Sequence, residues 1–151
     1  MTWMKLNHSE ARAEVLKVQS GKGEQSLLLH LAPYGNCPQY IVLKILDRSN
    51  LEPVNILILR PKEIIGRWTH ICVAVDQKRR TLIFWKDFKE VFRWNYEKER
   101  EFPLEGGTLY IGGEPGLESG KYLPAVLDDV CVLGKPIGQE EIQDLRAYYC
   151  I

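Results

Sequence analysis

An all-β domain, either a sandwich or a barrel, is the fold class that the sequence predicts. Runs rich in β-branched and aromatic residues recur about every ten residues, and the breaks between them carry the turn formers Gly, Pro, Asn and Asp. Only Pro136–Leu145 has the apolar spacing and the acidic first turn of a helix. With 151 residues, no linker and no change of composition, the chain is expected to form one domain over residues 1–151.

The predicted strands follow from these runs in chain order. The most informative is Trp68–Asp76, where both alternating sets of positions are apolar. Such a strand is typically covered on both faces, as at the centre of a sandwich. The other predicted strands span Trp3–Leu6, Ala13–Gln19, Gln25–Leu31, Gln39–Leu46, Val54–Arg60, Thr81–Trp85, Glu90–Trp94, Thr108–Gly112 and Ala125–Leu133.

The charge pattern argues against nucleic-acid binding and membrane insertion. Twenty basic residues balance 20 acidic ones, so no overall field attracts a polyanion. The densest basic run, Lys78–Arg80, is interpreted as a solvated turn between two strands. No apolar run approaches the roughly 20 residues that span a bilayer, and the first residues lack the apolar core of a signal peptide.

Four ordered motifs in the C-terminal half indicate a family. Gly66–Asp76 resembles the W-x-H-V-x-V-x-x-D strand of laminin-G-like and pentraxin domains, and Thr81–Val91 resembles the strand that follows it. Leu109–Gly113 is similar to L-x-I-G-G, and Leu123–Val130 to F-x-G-x-I-D-E-V. The chain is thus identified as a member of the concanavalin A-like lectin/glucanase superfamily. This resemblance implies a jelly-roll sandwich of two antiparallel sheets, closed by a short C-terminal helix.

The resemblance has departures as well. Phe88 and Ala125 stand where the family usually has Gly, and a tight turn at Phe88 is in doubt because Phe resists positive φ. Thr2–Leu6 resembles an early family strand, yet the edge strand that usually precedes it is not evident. The domain is therefore expected to lack its first edge strand or to begin inside the family's pattern.

The cysteines leave the redox compartment open. Cys37, Cys72, Cys131 and Cys150 allow three pairings, and their spacings do not indicate zinc. Cys72 matches a cysteine that pentraxins pair with an early strand, but that strand has no cysteine here. What remains is a Cys131–Cys150 disulfide or free thiols throughout, and free thiols are slightly favoured.

The resemblance also raises calcium as a cofactor, because pentraxins and many laminin-G domains bind ligands through it. Calcium needs six to eight oxygen ligands. The loop that matches the pentraxin calcium loop offers only Glu114 and Glu118. The expectation is no metal and no other cofactor, with a calcium site at these two residues as the weaker alternative. Asp128 and Asp129 are expected to be structural, at a turn of the sheet edge.

Catalysis is not expected. Glucanases of this fold use an E-x-D-x-x-E strand, and here Asp87 and Glu90 preserve the second half while Trp85 replaces the first acid. The three histidines lie in no nucleophile motif, and His70 is interpreted as a packed strand residue.

Aromatic side chains are the remaining candidates for ligand binding. Trp94, Tyr96, Tyr34 and Tyr40 are the predicted binding residues, and Phe92–Tyr96 is of most interest if it forms an edge strand. By resemblance, the expected function is a non-catalytic recognition module for a protein or glycan ligand, of the adhesion or cell-surface type. The alternatives are an intracellular scaffold domain, as in BEACH-type proteins, and, ranked third, a glycoside hydrolase. Oligomeric state stays open; an extracellular location is slightly favoured over a cytoplasmic one.

Overall fold

A computed structural model of the chain describes residues 1–7, 13–21, 25–34, 37–45, 54–60, 63–97, 107–113, 116 and 123–149. In these residues it contains two antiparallel five-stranded sheets and one helix, α1, at Gln139–Tyr148. The strands are β1 (Thr2–Leu6), β2 (Ala13–Gln19), β3 (Gln25–Tyr34), β4 (Cys37–Ile45), β5 (Val54–Leu59), β6 (Trp68–Asp76), β7 (Thr81–Lys86), β8 (Lys89–Asn95), β9 (Thr108–Ile111) and β10 (Ala125–Asp128).

The chain passes back and forth between two sheets, A and B. Sheet A has the order β10-β1-β6-β7-β8, and sheet B has the order β5-β4-β3-β2-β9. The predicted all-β class is confirmed, and nine of the ten predicted strands have a counterpart whose ends lie within about three residues. The predicted strand Ala125–Leu133 was too long: β10 ends at Asp128, because a bulge follows at Asp129. Helix α1 begins three residues later than predicted, because Pro136 and Ile137 precede its N-cap at Gly138. No helix in the described ranges is long and apolar enough to cross a membrane.

The main core lies between the inner faces of the two sheets. Alternation along β1 turns Met4 and Leu6 inward, and alternation along β7 does the same for Leu82 and Phe84. Residues of β2 and β3, among them Val15 and Leu29, face them from sheet B. Phe84 is completely buried, and truncating such a side chain to Ala typically costs about 3–5 kcal/mol.

A second apolar cluster covers the outer face of sheet A. Helix α1 contributes Ile142, which packs with Cys72 and Trp85 from the sheet and with Ile137 from the segment before the helix. This cluster explains why β6 is apolar on both sides. The prediction of a strand covered on both faces is confirmed, because Ile71 on one side of β6 is buried in the main core and Cys72 on the other is buried under α1.

The β7–β8 hairpin turns through two residues in the left-handed region. Asp87 has φ 49° and Phe88 has φ 62°, the conformation of a two-residue hairpin that usually selects Asn or Gly. The Asp87 carboxylate accepts hydrogen bonds from the backbone N–H of His70 and from Arg67 Nη2, both at 3.1 Å. The tight turn that was in doubt at Phe88 therefore forms without Gly. Burial of the Phe88 ring in the cluster under α1 offsets the cost of its left-handed conformation.

His70 is packed as the sequence predicts, inside an aromatic cage. Its ring stacks on Phe88 with 4.2 Å between centroids and meets Trp3 edge-on at 5.4 Å. Its buried Nδ1 has no hydrogen-bond partner. Burial lowers the pKa of His70 to about 4 from the ordinary 6.5; the terminal ammonium adds to this effect, and the carboxylate of Asp87 opposes it.

We expect Phe88→Gly to destabilise the protein, although it restores the residue that relatives have at this turn. Relief of the left-handed conformation is worth about 1–2 kcal/mol, whereas loss of the buried ring costs about 3–5 kcal/mol. The free energy of unfolding in urea should therefore fall by about 1–4 kcal/mol. An unchanged or higher stability of the variant would show that strain, not burial, dominates at this turn.

We also expect His70 to make the protein less stable in mild acid. The unfolded chain binds a proton on His70 as pH falls below 6.5, whereas the folded state does not until about pH 4. Between these values the free energy of unfolding should fall by up to about 1.4 kcal/mol per pH unit from this residue. Urea titrations from pH 7.5 to 4 should show a shallower fall for His70→Phe; equal slopes would contradict this role.

Candidate functional site

The predicted binding aromatics Trp94, in β8, and Tyr96, just after it, lie on the core side of an edge strand. β8 is an edge strand of sheet A, the condition under which Phe92–Tyr96 was of interest for ligand binding. Trp94, however, is paired with the inward-facing Leu82 and packs against the main core. Tyr96 is only 6% exposed, and its hydroxyl donates to the Asp76 carbonyl at 3.3 Å. This corrects the expectation of an exposed aromatic face, because the alternation of β8 turns Val91 and Arg93 outward instead.

The other predicted binding residues fall at the margin of the described chain. Tyr34 ends β3 and Tyr40 lies in β4, so both belong to one hairpin, but their side chains lie outside the described part. Glu114 and Glu118, the weak calcium candidates, also lie outside it. Within the described ranges, no group of three or more His, Cys, Asp or Glu side chains has an arrangement that could hold a metal ion.

Asp128 and Asp129 form a bulge at the edge of sheet A. Trp3 pairs with Asp128, but the backbone of Met1 bonds to Cys131, so one extra residue is inserted. That residue is Asp129, with φ 47°, whose N–H donates to Asp128 Oδ1. Asp129 Oδ2 accepts from the Tyr149 hydroxyl at 2.9 Å. The two acids therefore have the structural role that the sequence suggested.

Two cysteines whose side chains the structure describes, Cys72 and Cys131, are free thiols. Cys72 is buried under α1, and burial raises the pKa of its thiol to about 11, which keeps it protonated at neutral pH. Cys131 is also free, while Cys150, the other member of the candidate pair, lies outside the described residues.

A recessed polar site lies on the outer face of sheet B; we call it the Lys17 site and define it by Glu14, Lys17, His30 and Tyr110. Lys17 pairs with Tyr110 across β2 and β9, and its Nζ lies 5.8 Å from the centre of the Tyr110 ring. The residue is only 4% exposed although it belongs to an outward face. A buried ammonium is uncommon unless it has partners, and the aromatic ring is one of them.

A β-bulge in β2 brings these polar residues to the same face. Ala13 and Val15 contact the core before the bulge, and Leu16 and Val18 contact it afterwards. Glu14 and Lys17 consequently both face outward although they are three residues apart, a separation of about 10 Å along the strand. A single ligand that contacts both must therefore extend along β2.

Glu14 adds an unsatisfied acceptor to the site. It pairs directly with His30 across β2 and β3, so the two side chains share the outward face. Its Oε2 is buried and has no hydrogen-bond partner, a state that is rare for buried polar atoms and calls for an explanation. An aromatic ring, an ammonium and a carboxylate oxygen that lacks a hydrogen-bond donor together suit a ligand that has hydroxyl donors and a flat apolar face.

Sequence reasoning did not identify the Lys17 site. Strict alternation over Ala13–Gln19 places Glu14 and Lys17 on opposite faces, so the bulge concealed their common side. For Tyr110 a signal was present, because Leu109 and Ile111 are the apolar positions of the L-x-I-G-G motif and Tyr110 must point the other way.

Comparisons with known proteins agree with this architecture. A laminin-G family model, described as concanavalin A-like lectin/glucanases superfamily, matches residues 1–143 and confirms the resemblance seen in the sequence. No curated protein matches the chain.

Solved structures show the same fold. A heptameric SAP-like pentraxin from Limulus polyphemus aligns with a TM-score of 0.66 at 14% identity, over 96% of this chain and 67% of the pentraxin. The CBM40 of a Ruminococcus gnavus IT-sialidase, bound to α2,3-sialyllactose, aligns with a TM-score of 0.62 at 13% identity, over 96% of this chain and 79% of that one. At such identities the likeness establishes the fold alone.

Proposed function

We propose that this chain, which belongs to the concanavalin A-like lectin/glucanase superfamily, is a non-catalytic recognition module that binds a glycan at the Lys17 site. The observation that carries the proposal is the buried Glu14 Oε2, which has no hydrogen-bond partner and lies on the same outward face as Lys17 and Tyr110. Leaving this acceptor buried without a donor costs free energy in the unbound protein. Such a cost is understandable where a ligand hydroxyl donates to Glu14 on binding.

The side chains of the site match the chemistry of a sugar. A hydroxyl group of a glycan can donate a hydrogen bond to Glu14 Oε2. Another oxygen of the glycan can accept a hydrogen bond from the ammonium of Lys17. The C–H face of a sugar ring suits the partly exposed ring of Tyr110. Lys44 lies two strands from Lys17 in the same cross-strand row, through Leu28, so acidic glycans are favoured over neutral ones.

Asp87 and Glu90, the two acids that match the glucanase strand pattern, are both engaged in hydrogen bonds within the domain. Asp87 is held by Arg67 and the His70 backbone. Glu90 forms a bidentate pair with Arg93, whose hydrogen bond lowers the pKa of Glu90 and keeps it ionised. A glycosidase acid must instead be protonated near neutral pH. This supports a binding role over hydrolysis.

One observation favours a second candidate, an interaction domain inside the cell. Cys72 and Cys131 are free thiols, as is usual in reducing compartments. A thiol titration of the natural protein in denaturant distinguishes the two settings: four reduced cysteines would favour the intracellular role, whereas any disulfide would favour an extracellular one.

We expect a glycan array, run with and without calcium, to show binding to acidic glycans that does not require the metal. Tyr110→Ala should weaken binding to the best glycan at least about tenfold, equivalent to 1.4 kcal/mol, while Tyr110→Phe should retain most of it because the ring remains. Lys17→Met should also weaken binding, since it keeps the buried stem and removes the charge. Isothermal titration calorimetry measures each affinity.

The matched control is Tyr148→Ala, which removes an exposed aromatic ring on the opposite side of the sandwich and should bind as the wild type does. Circular dichroism and thermal midpoints establish that each variant is folded. A blank array in both conditions, or equal losses for Tyr110→Ala and Tyr148→Ala, would refute glycan binding at the Lys17 site.

A further inference from the structure

The two edges of sheet A differ sharply in character. The β8 edge carries the charged side chains Lys89, Glu90 and Arg93, and the last two form an ion pair. Charged residues on an edge strand are a common protection against pairing with another chain. The β10 edge instead exposes Val126 and, just beyond the strand, further apolar residues. The charged residues of this edge, Asp128 and Asp129, lie at the bulge, and the exposed side chains that follow them, Val130 and Val132, are apolar.

The open edge continues past the bulge at Asp129. Met1 and Cys131 exchange backbone hydrogen bonds of 2.8 and 2.9 Å, so the chain still follows β1 at this point. The residues on either side, Val130 and Val132, are 47% and 69% exposed and make no hydrogen bond among the described residues. Their backbone groups are available to an added strand.

An apolar groove adjoins this edge on the outer face of the sheet. It has a volume of about 460 Å³ and lies between the segment after β10 and helix α1. Leu133 and Tyr148 form exposed parts of its walls. The remaining lining residues are Met1, Cys131, Ile137, Glu141, Asp144 and Leu145.

The charge beside the groove is acidic. Helix α1 carries the three carboxylates of Glu140, Glu141 and Asp144 against the single guanidinium of Arg146. Glu141 is held by Lys135 and by the Gly138 N–H, whereas Asp144 has no partner among the described residues. A ligand here gains from an apolar anchor and from one positive charge that reaches Asp144.

We propose that the β10 edge and this groove bind an extended segment of a partner protein that is rich in β-branched residues and contains a Lys or Arg. The segment adds as a strand beside Val130–Leu133, and its main chain pairs with the open edge. Because side chains alternate along a strand, one set enters the groove and the other contacts Val130 and Val132. The basic residue belongs to the groove set and pairs with Asp144.

This surface is separate from the Lys17 site. The groove lies on the outer face of sheet A, whereas Lys17 and Tyr110 lie on the outer face of sheet B. The partner segment therefore binds whether or not a glycan does, and Tyr110→Ala should leave its affinity unchanged.

A random 12-residue peptide library displayed on phage and selected against the whole chain tests the proposal. We expect enrichment of peptides with alternating Val, Ile or Thr and at least one Lys or Arg. Fluorescence anisotropy with the best peptide should show an affinity loss of at least about tenfold for Val132→Lys. Asp144→Lys should lower the affinity for that peptide and raise the affinity for a second peptide in which Glu replaces the basic residue.

The matched control is Val91→Lys on the β8 edge, which is 45% exposed and should bind the peptide as the wild type does. Circular dichroism establishes the folding of all three variants. No enrichment, equal losses for Val91→Lys and Val132→Lys, or no charge preference in Asp144→Lys would overturn the proposal. Sedimentation velocity adds another refuting outcome: self-association that Val132→Lys abolishes means that a second copy occupies this edge.

Discussion

Burial of the β6–β7 strand pair on both faces holds the parts of this protein together. Phe84 faces inward and packs in the core between the two sheets, while its neighbour Trp85 faces outward beneath helix α1. Each fully buried aromatic side chain contributes about 1.5–3 kcal/mol from the removal of apolar surface from water. The same strand pair therefore anchors both sheet B and the C-terminal helix.

This arrangement also determines where a ligand can approach. The helix and the segment before it cover much of the outer face of sheet A, and the cover includes Cys72, Trp85 and Phe88. The outer face of sheet B and the β10 edge lie outside this cover. Each of them carries side chains that packing within the domain does not account for. On sheet B these are the buried polar residues Lys17 and Glu14, and at the β10 edge they are the exposed valines beside an acidic groove.

Departures from the family pattern have local compensation in the fold. Phe88 replaces a glycine and adopts φ 62°, and its ring is retained by stacking on His70 at 4.2 Å. Asp87, which in a hydrolase pattern would be a candidate acid, instead supports the same turn through Arg67 and the His70 backbone. Because relatives share only 13–14% identity with this chain, its binding chemistry must be read from its own residues.

The sequence by itself determined the fold class, the approximate strand positions and the two-sided burial of β6, because alternation and turn chemistry are local properties. It also indicated that Asp128 and Asp129 are structural and that His70 is packed. It could not determine which way the rings of β8 face, since Trp94 turns inward only because it pairs with Leu82. Nor could it place Glu14 and Lys17 on one face, because the bulge between them arises from pairing with β3. Side-chain direction near a bulge depends on the register between strands, and only the tertiary structure decided that.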